Sequence, residues 1–306
     1  MPPDHCYHER IGGMTQVAEP ARASRKPPWA ILGWFGALLV LCYYPVLSYL
    51  VQQWNNDEDM GHGFFVPVIA GYIIWTRRDR LLALKPSTNW LGLALMVYAG
   101  VQLFIATLGA ELFLARTAFV FSLIGTLLYL GGMAYVRALA FPLLLLFFMI
   151  PIPTIIYNRI TFPLQLLASR VAAATLDLMQ IPVLRRGNVL ELPYQTLNVV
   201  EACSGIRSLL SLTFLALVYG HFFEKRPWMR VTLFVATIPI AIVANASRVT
   251  LTGLLTQINP TLAQGFFHTA SGWVIFMVAL AILVVLHQLL TRLYGWFQGW
   301  RKAVAT

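Results

Sequence analysis

The sequence predicts an all-α integral membrane protein of about eight transmembrane helices, with an interfacial amphipathic helix and a small extracytoplasmic β-hairpin. Three observations carry this reading. Of the 306 residues, 58% are hydrophobic and only 11% are charged, about half the charged share of a soluble domain, and the mean hydropathy is +0.70. Apolar runs near the ~20 residues that cross a bilayer recur along the chain. Basic residues collect in alternate connecting segments. The net charge of +10 therefore reads as loop asymmetry rather than a nucleic-acid footprint, since no basic stripe is interleaved with exposed aromatics.

Residues 1–28 read as a polar cytoplasmic tail ending in the basic stretch Arg22 to Lys26. They carry acids as well as bases and no compact apolar core, unlike a signal peptide. Residues 29–290 form the multi-pass domain, and residues 291–306 a basic cytoplasmic tail with Arg301 and Lys302. The spans are expected at about Trp29–Leu50, Gly63–Trp75, Trp90–Leu108, Leu112–Leu130, Ala138–Ile150, Cys203–Gly220, Val231–Leu251 and Phe267–Leu289. Phe162–Ile181 is helical in pattern but holds Gln165, Arg170 and Asp177. Charges at mid-bilayer cost several kcal/mol, so an interfacial helix is expected there. Val189–Leu192 and Thr196–Val200, broken at Pro193, read as a hairpin. With both termini inside, 15 of the 22 basic residues fall on the cytoplasmic side.

This topology gathers polar residues at the extracytoplasmic face. Cys203 stands where a polar segment becomes a span, in the positive field of a helix start that favours a thiolate. Arg248 lies near the outer end of the next span and His268 opens the last one. A thiol, a guanidinium and an imidazole at one depth suit acyl transfer. Cysteine is the nucleophile, histidine moves the proton, and arginine stays charged and steadies an oxyanion. Taken singly, each also has a structural reading: a small apolar filler, an arginine reaching the interface, an interfacial polar group.

Asn245, three residues before Arg248, sits to orient one of these groups. Glu201 either fixes the hairpin or pairs with Arg207. Arg207, one turn below Cys203, is either structural or supporting. Ser204 is an alternative nucleophile. His62, between Gly61 and Gly63, is a turn residue or a substrate contact. His221 and His287 lie near the inner face, away from this site. No CxxC, HExxH or phosphate-loop pattern occurs, so no metal or other cofactor is expected.

Several runs resemble the exosortases, multi-pass cysteine transpeptidase-like enzymes of bacterial membranes: Glu201-Ala-Cys-Ser-Gly-Ile-Arg-Ser208, Asn245-Ala-Ser-Arg248 and Gly265-Phe-Phe-His-Thr-Ala-Ser-Gly-Trp273. Gly61-His-Gly-Phe-Phe-Val-Pro67 and Ile181-Pro-Val-Leu-Arg-Arg-Gly-Asn-Val189 are similar to that family too. The resemblance implies a catalytic set of Cys203, Arg248 and His268. It also implies a location in the bacterial cytoplasmic membrane, with the site on the extracytoplasmic side. The implied partners are C-terminal tails of exported proteins, each with a Pro-Glu-Pro-type motif, a transmembrane helix and a basic cluster. Cleavage near the motif then passes the new C-terminus to water or to an acceptor, which the sequence does not name. The alternative reading is a transporter or a polysaccharide-export scaffold with a polar outer cavity, needing no nucleophile.

Overall fold

The computed structural model describes residues 29–193, 196–198, 205–258 and 266–304. Helix α1 (Trp29–Cys42) and helix α2 (Tyr44–Asn56) meet at a 72° bend. The expected single span Trp29–Leu50 is broken there because Pro45 opens α2 and has no N–H to continue the ladder of α1. Tyr43 at the elbow is buried, its hydroxyl 2.8 Å from Ser122 Oγ. A 3-10 turn, Glu58–Phe64, leads into α3 (Phe65–Thr76). Gly63 is required at that turn, since a Cβ would lie 2.5 Å from Trp54 Nε1. The same indole N–H donates to the Met149 carbonyl at 2.9 Å.

A short helix α4 (Arg78–Leu82) precedes the hairpin of α5 (Trp90–Leu108) and α6 (Leu112–Gly131), whose bounds fall where the sequence places them. Both starts are capped: Asn89 Oδ1 accepts from Leu91 N and Glu111 Oε2 from Leu114 N, at 3.0 and 2.7 Å. The two helices meet through glycine, as membrane helices do where backbones approach closely. A Cβ on Gly92 would lie 2.7 Å from the Gly125 carbonyl oxygen. Helices α7 (Met133–Ala138) and α8 (Ala140–Leu145) and a 3-10 turn, Leu146–Met149, climb back. Pro151 and Pro153 stop the run, and the chain turns by 87° into α9 (Thr154–Leu178).

Helix α9 turns small and polar residues inward (Gln165, Ala168, Ser169, Ala172) and large apolar ones outward (Ile155, Ile156, Phe162, Leu178). That is the reverse of a soluble helix and suits contact with lipid. It begins eight residues before the expected Phe162, directly after Pro153, whose extended backbone at the N-cap ends the preceding segment.

The stretch Val183–Glu201, expected as β-like and as a small hairpin, holds one strand more. The sheet has three antiparallel strands in the order β1 (Leu184–Arg186), β2 (Val189–Glu191), β3 (Thr196–Asn198). The two arginines hid β1 from an apolar pattern. The Gly187-Asn188 turn, with Gly187 at φ +66°, closes the β1–β2 hairpin in the register Arg186↔Val189. Leu190, Leu192 and Leu197 of this sheet pack on Ala172 and Leu176 of α9 and on Val249.

Three long helices complete the chain: α10 (Gly205–Phe223), α11 (Pro227–Ile258) and α12 (Phe266–Val304). They share one core, with Leu212 and Ala216 of α10, Leu233 and Ala241 of α11, and Ala279 and Leu283 of α12. The 32 residues of α11 measure ~48 Å at 1.5 Å per residue, beyond the ~30 Å hydrocarbon core. Helix α12 likewise continues to Val304, through the segment expected as a tail.

Among the described residues, four helices are long and apolar enough to cross a membrane, and each of the two bent pairs adds one, giving up to six. Met60–Thr76 and Leu209–Phe223 are apolar but shorter. Exposed Leu41, Phe104, Val235 and Val285 show apolar surface on many sides of the bundle. Such a surface needs lipid as its solvent.

Candidate active site

Arg248 lies in the C-terminal half of α11 and is 8% exposed. Its guanidinium is packed against the backbone of α12 at Gly272: a Cβ there would meet Nη2 at 3.1 Å and Cζ at 3.2 Å. Position 268 lies one turn earlier on α12, so it shares the helical face that meets Arg248. His268 itself falls in the first turn of α12 and Arg207 in the first turn of α10; their side chains lie outside the described residues. So do Glu201, Cys203 and Ser204 altogether, with α10 starting two residues after Cys203. The structure thus brings Arg248 to the opening of α12, and the α10–α12 core puts the opening of α10 on the same bundle.

Asn245 is buried one turn before Arg248. It lines a small cavity with Leu164 of α9 and Leu209 of α10. Asn245 therefore sits where α9, α10 and α11 converge. Thr252 Oγ1 donates to the Arg248 carbonyl at 2.9 Å, which ties the next turn of α11 to the arginine.

His62 approaches the bundle from the 3-10 turn before α3. Its Nε2 lies 3.2 Å from the Phe148 carbonyl and its Nδ1 3.4 Å from Ser211 Oγ. A carbonyl only accepts, so Nε2 carries the proton and Nδ1 accepts from the serine hydroxyl. Ser211 is one turn below Arg207 on α10. His62 is thus tied to the helix that Cys203 precedes, two turns beneath its start.

The opposite ends of these helices are joined by a buried network that sequence reading left out. His287 of α12 bonds through Nδ1 to the Tyr219 hydroxyl at 2.8 Å and through Nε2 to Glu224 Oε2 at 3.1 Å. Glu224 Oε1 accepts from the backbone N–H groups of Lys225 and Arg226, and Arg230 Nε donates to the Glu224 carbonyl. Burial raises the Glu224 carboxyl, but the Arg226 N–H, His287 and the Lys225 N–H outweigh it, and its pKa falls below the ordinary value. Nearby, Arg77 donates to the Ala138 carbonyl and lies 2.8 Å from His221 Nε2, while His221 stacks on Phe141. His221 and His287 stand at this end, away from Arg248 along the helices. Among the described residues, no three metal-binding side chains cluster.

A profile of transmembrane exosortases matches residues 54–285, more than half of the chain. The chain belongs to the transmembrane exosortase family. The matched stretch holds Cys203, Arg248 and His268 together with His62 and Asn245. No curated protein and no solved structure matches the chain. For this exosortase the multi-pass membrane architecture follows from the family and the apolar helices together.

Proposed function

We propose that the chain is an eight-span cysteine peptidase or transpeptidase of the cytoplasmic membrane, with both termini inside and its site on the extracytoplasmic face. Its substrates are exported proteins carrying the C-terminal sorting signal described above, a Pro-Glu-Pro-type motif followed by a transmembrane helix and basic residues. This reading counts each bent pair as one crossing and adds the two shorter apolar helices to the four long ones. The observation that carries the reading is Arg248 seated against α12 one turn from position 268.

In this reading the Cys203 thiol gives its proton to His268, and the thiolate sulfur attacks the scissile carbonyl carbon. Arg248 holds the oxyanion through its fixed fork of N–H donors. The tetrahedral species collapses, the C–N bond breaks, and His268 returns the proton to the departing amine. A thioester remains on Cys203. Water, or an acceptor amine or hydroxyl, attacks it and regenerates the thiol. Asn245 and His62 position the helices around this centre.

Cys203→Ala is expected to abolish processing of a sorting-signal reporter while the protein stays in the membrane at wild-type level. Unchanged processing in that variant overturns the reading. The transporter or scaffold alternative instead expects Cys203→Ser to retain most function, because the polarity of the cavity survives.

A further inference from the structure

We propose that an open groove between the first half of α9 and the β1–β2 turn binds an extended polypeptide segment of the substrate. The inference rests on the peptidase reading for the identity of that substrate. The groove encloses about 650 Å³ and is lined by Asn158, Arg159, Thr161, Phe162, Gln165 and Asn188. That volume falls within the ~300–1,000 Å³ typical of ligand sites.

Two features show that this is a built site. Gln165 is only 8% exposed, and its carboxamide has no hydrogen-bond partner among the described residues. The amide keeps access to the open groove, where a ligand group can pair with it. The opposite wall is fixed as well: Ser169 Oγ and Arg185 Nη1 both donate to the Gly187 carbonyl at 2.9 Å, which ties the turn bearing Asn188 back to α9.

The chemistry of the lining selects the ligand. Asn158 and Gln165 lie seven residues apart, on one face of α9, and Asn188 faces the groove from the turn. Three carboxamides offer donors and acceptors in equal measure, as a peptide backbone does. A phosphate headgroup accepts only and calls for several cations, whereas Arg159 is the one cation among the described lining residues. That arginine suits an acidic side chain on the bound segment. Thr161 is turned away, its hydroxyl bonded to the Tyr157 carbonyl of its own helix.

The groove can be reached from the bilayer. Ile155, Ile156 and Ile160 beside it are exposed, so a membrane-anchored chain slides in from lipid. It also adjoins the proposed centre, because Leu164, next to Gln165, shares a cavity with Asn245.

The test uses the full chain in proteoliposomes with a single-span reporter whose sorting segment it processes. Phe162→p-benzoyl-phenylalanine is expected to cross-link to the reporter on illumination, while the same group at Tyr98, exposed on α5, does not. Gln165→Leu and Asn188→Ala are each expected to raise KM about tenfold with kcat unchanged, the loss of one hydrogen bond apiece. Asn188 lies in a surface turn, so its variant keeps the test valid if Gln165→Leu fails to fold. Unchanged KM in Asn188→Ala with no reporter cross-link overturns the groove, as does a cross-link to phospholipid in place of the reporter. A reporter cross-link that persists while Cys203→Ala still processes overturns the peptidase reading and leaves the groove standing.

Discussion

The guanidinium of Arg248 rests on the bare backbone of Gly272, closer than a side chain there would allow. Glycine at this point lets a charged group on α11 reach α12 at its opening. Gly272→Ala forces the guanidinium to shift by a few tenths of an ångström, and Gly272→Val by more. Processing is expected to fall about tenfold in the first and 100-fold in the second, as small misplacements of catalytic groups do. Wild-type activity in Gly272→Val refutes the placement.

Arg248→Lys keeps the charge but loses the planar fork of donors. If the arginine holds an oxyanion, kcat is expected to drop about 100-fold, as for loss of one such donor, with KM little changed. A rise confined to KM assigns Arg248 to substrate binding instead.

The Glu224–His287–Tyr219 network makes a pH prediction. The Glu224 carboxyl is held below its ordinary value of 4.5. Its contribution to stability is therefore complete above pH 4.5 and is lost as pH falls through the folded value. Glu224→Gln is expected to lower the melting temperature at pH 7 and to flatten its decline below pH 4.5. A melting temperature with the same acid slope in wild type and variant contradicts this role.

Arg116 of α6 is 3% exposed, and its Nε and Nη2 have no hydrogen-bond partner among the described residues. A buried charge left unpaired is costly, so an apolar side chain of similar length in its place is neutral or stabilising. Arg116→Met is expected to keep or raise the melting temperature in detergent. A clear decrease shows that the guanidinium holds an anion in the membrane.

Packing at the α5–α6 hairpin predicts a structural defect. Gly92→Val places atoms where the Gly125 carbonyl lies. Backbone cannot yield as a side chain does, so the cost exceeds the ~1–3 kcal/mol of ordinary overpacking. Loss of the folded protein from membranes is expected, read by detergent-solubilised yield and size-exclusion profile.

The α5–α6 hairpin was legible because its two runs are uniformly apolar, near bilayer length, and separated by a short polar break at Gly109–Glu111. The elbow at Tyr43 was not, since apolar composition continues across it and only Pro45 marks the change of direction. Strand β1 was hidden because Arg185 and Arg186 are stabilised by pairing with β2 rather than by an apolar face. In the candidate site, the placing of Asn245 and Arg248 on one face of a helix was legible from their spacing. Gly272 was not, because its contribution is the absence of a side chain. The bond between Glu224 and His287 joins residues 63 apart and leaves no periodic trace.

The Glu224–His287 bond also acts as a pivot. His287 stands nineteen residues beyond position 268 on one helix, a lever arm of ~28 Å at 1.5 Å per residue. With these ends of α10 and α12 held together, a tilt of one degree between the helices displaces their far ends by about 0.5 Å over that arm. The spacing of groups beside Arg248 is therefore governed by an angle set at the opposite end of the bundle. Whatever loosens Glu224 would change geometry there without touching it.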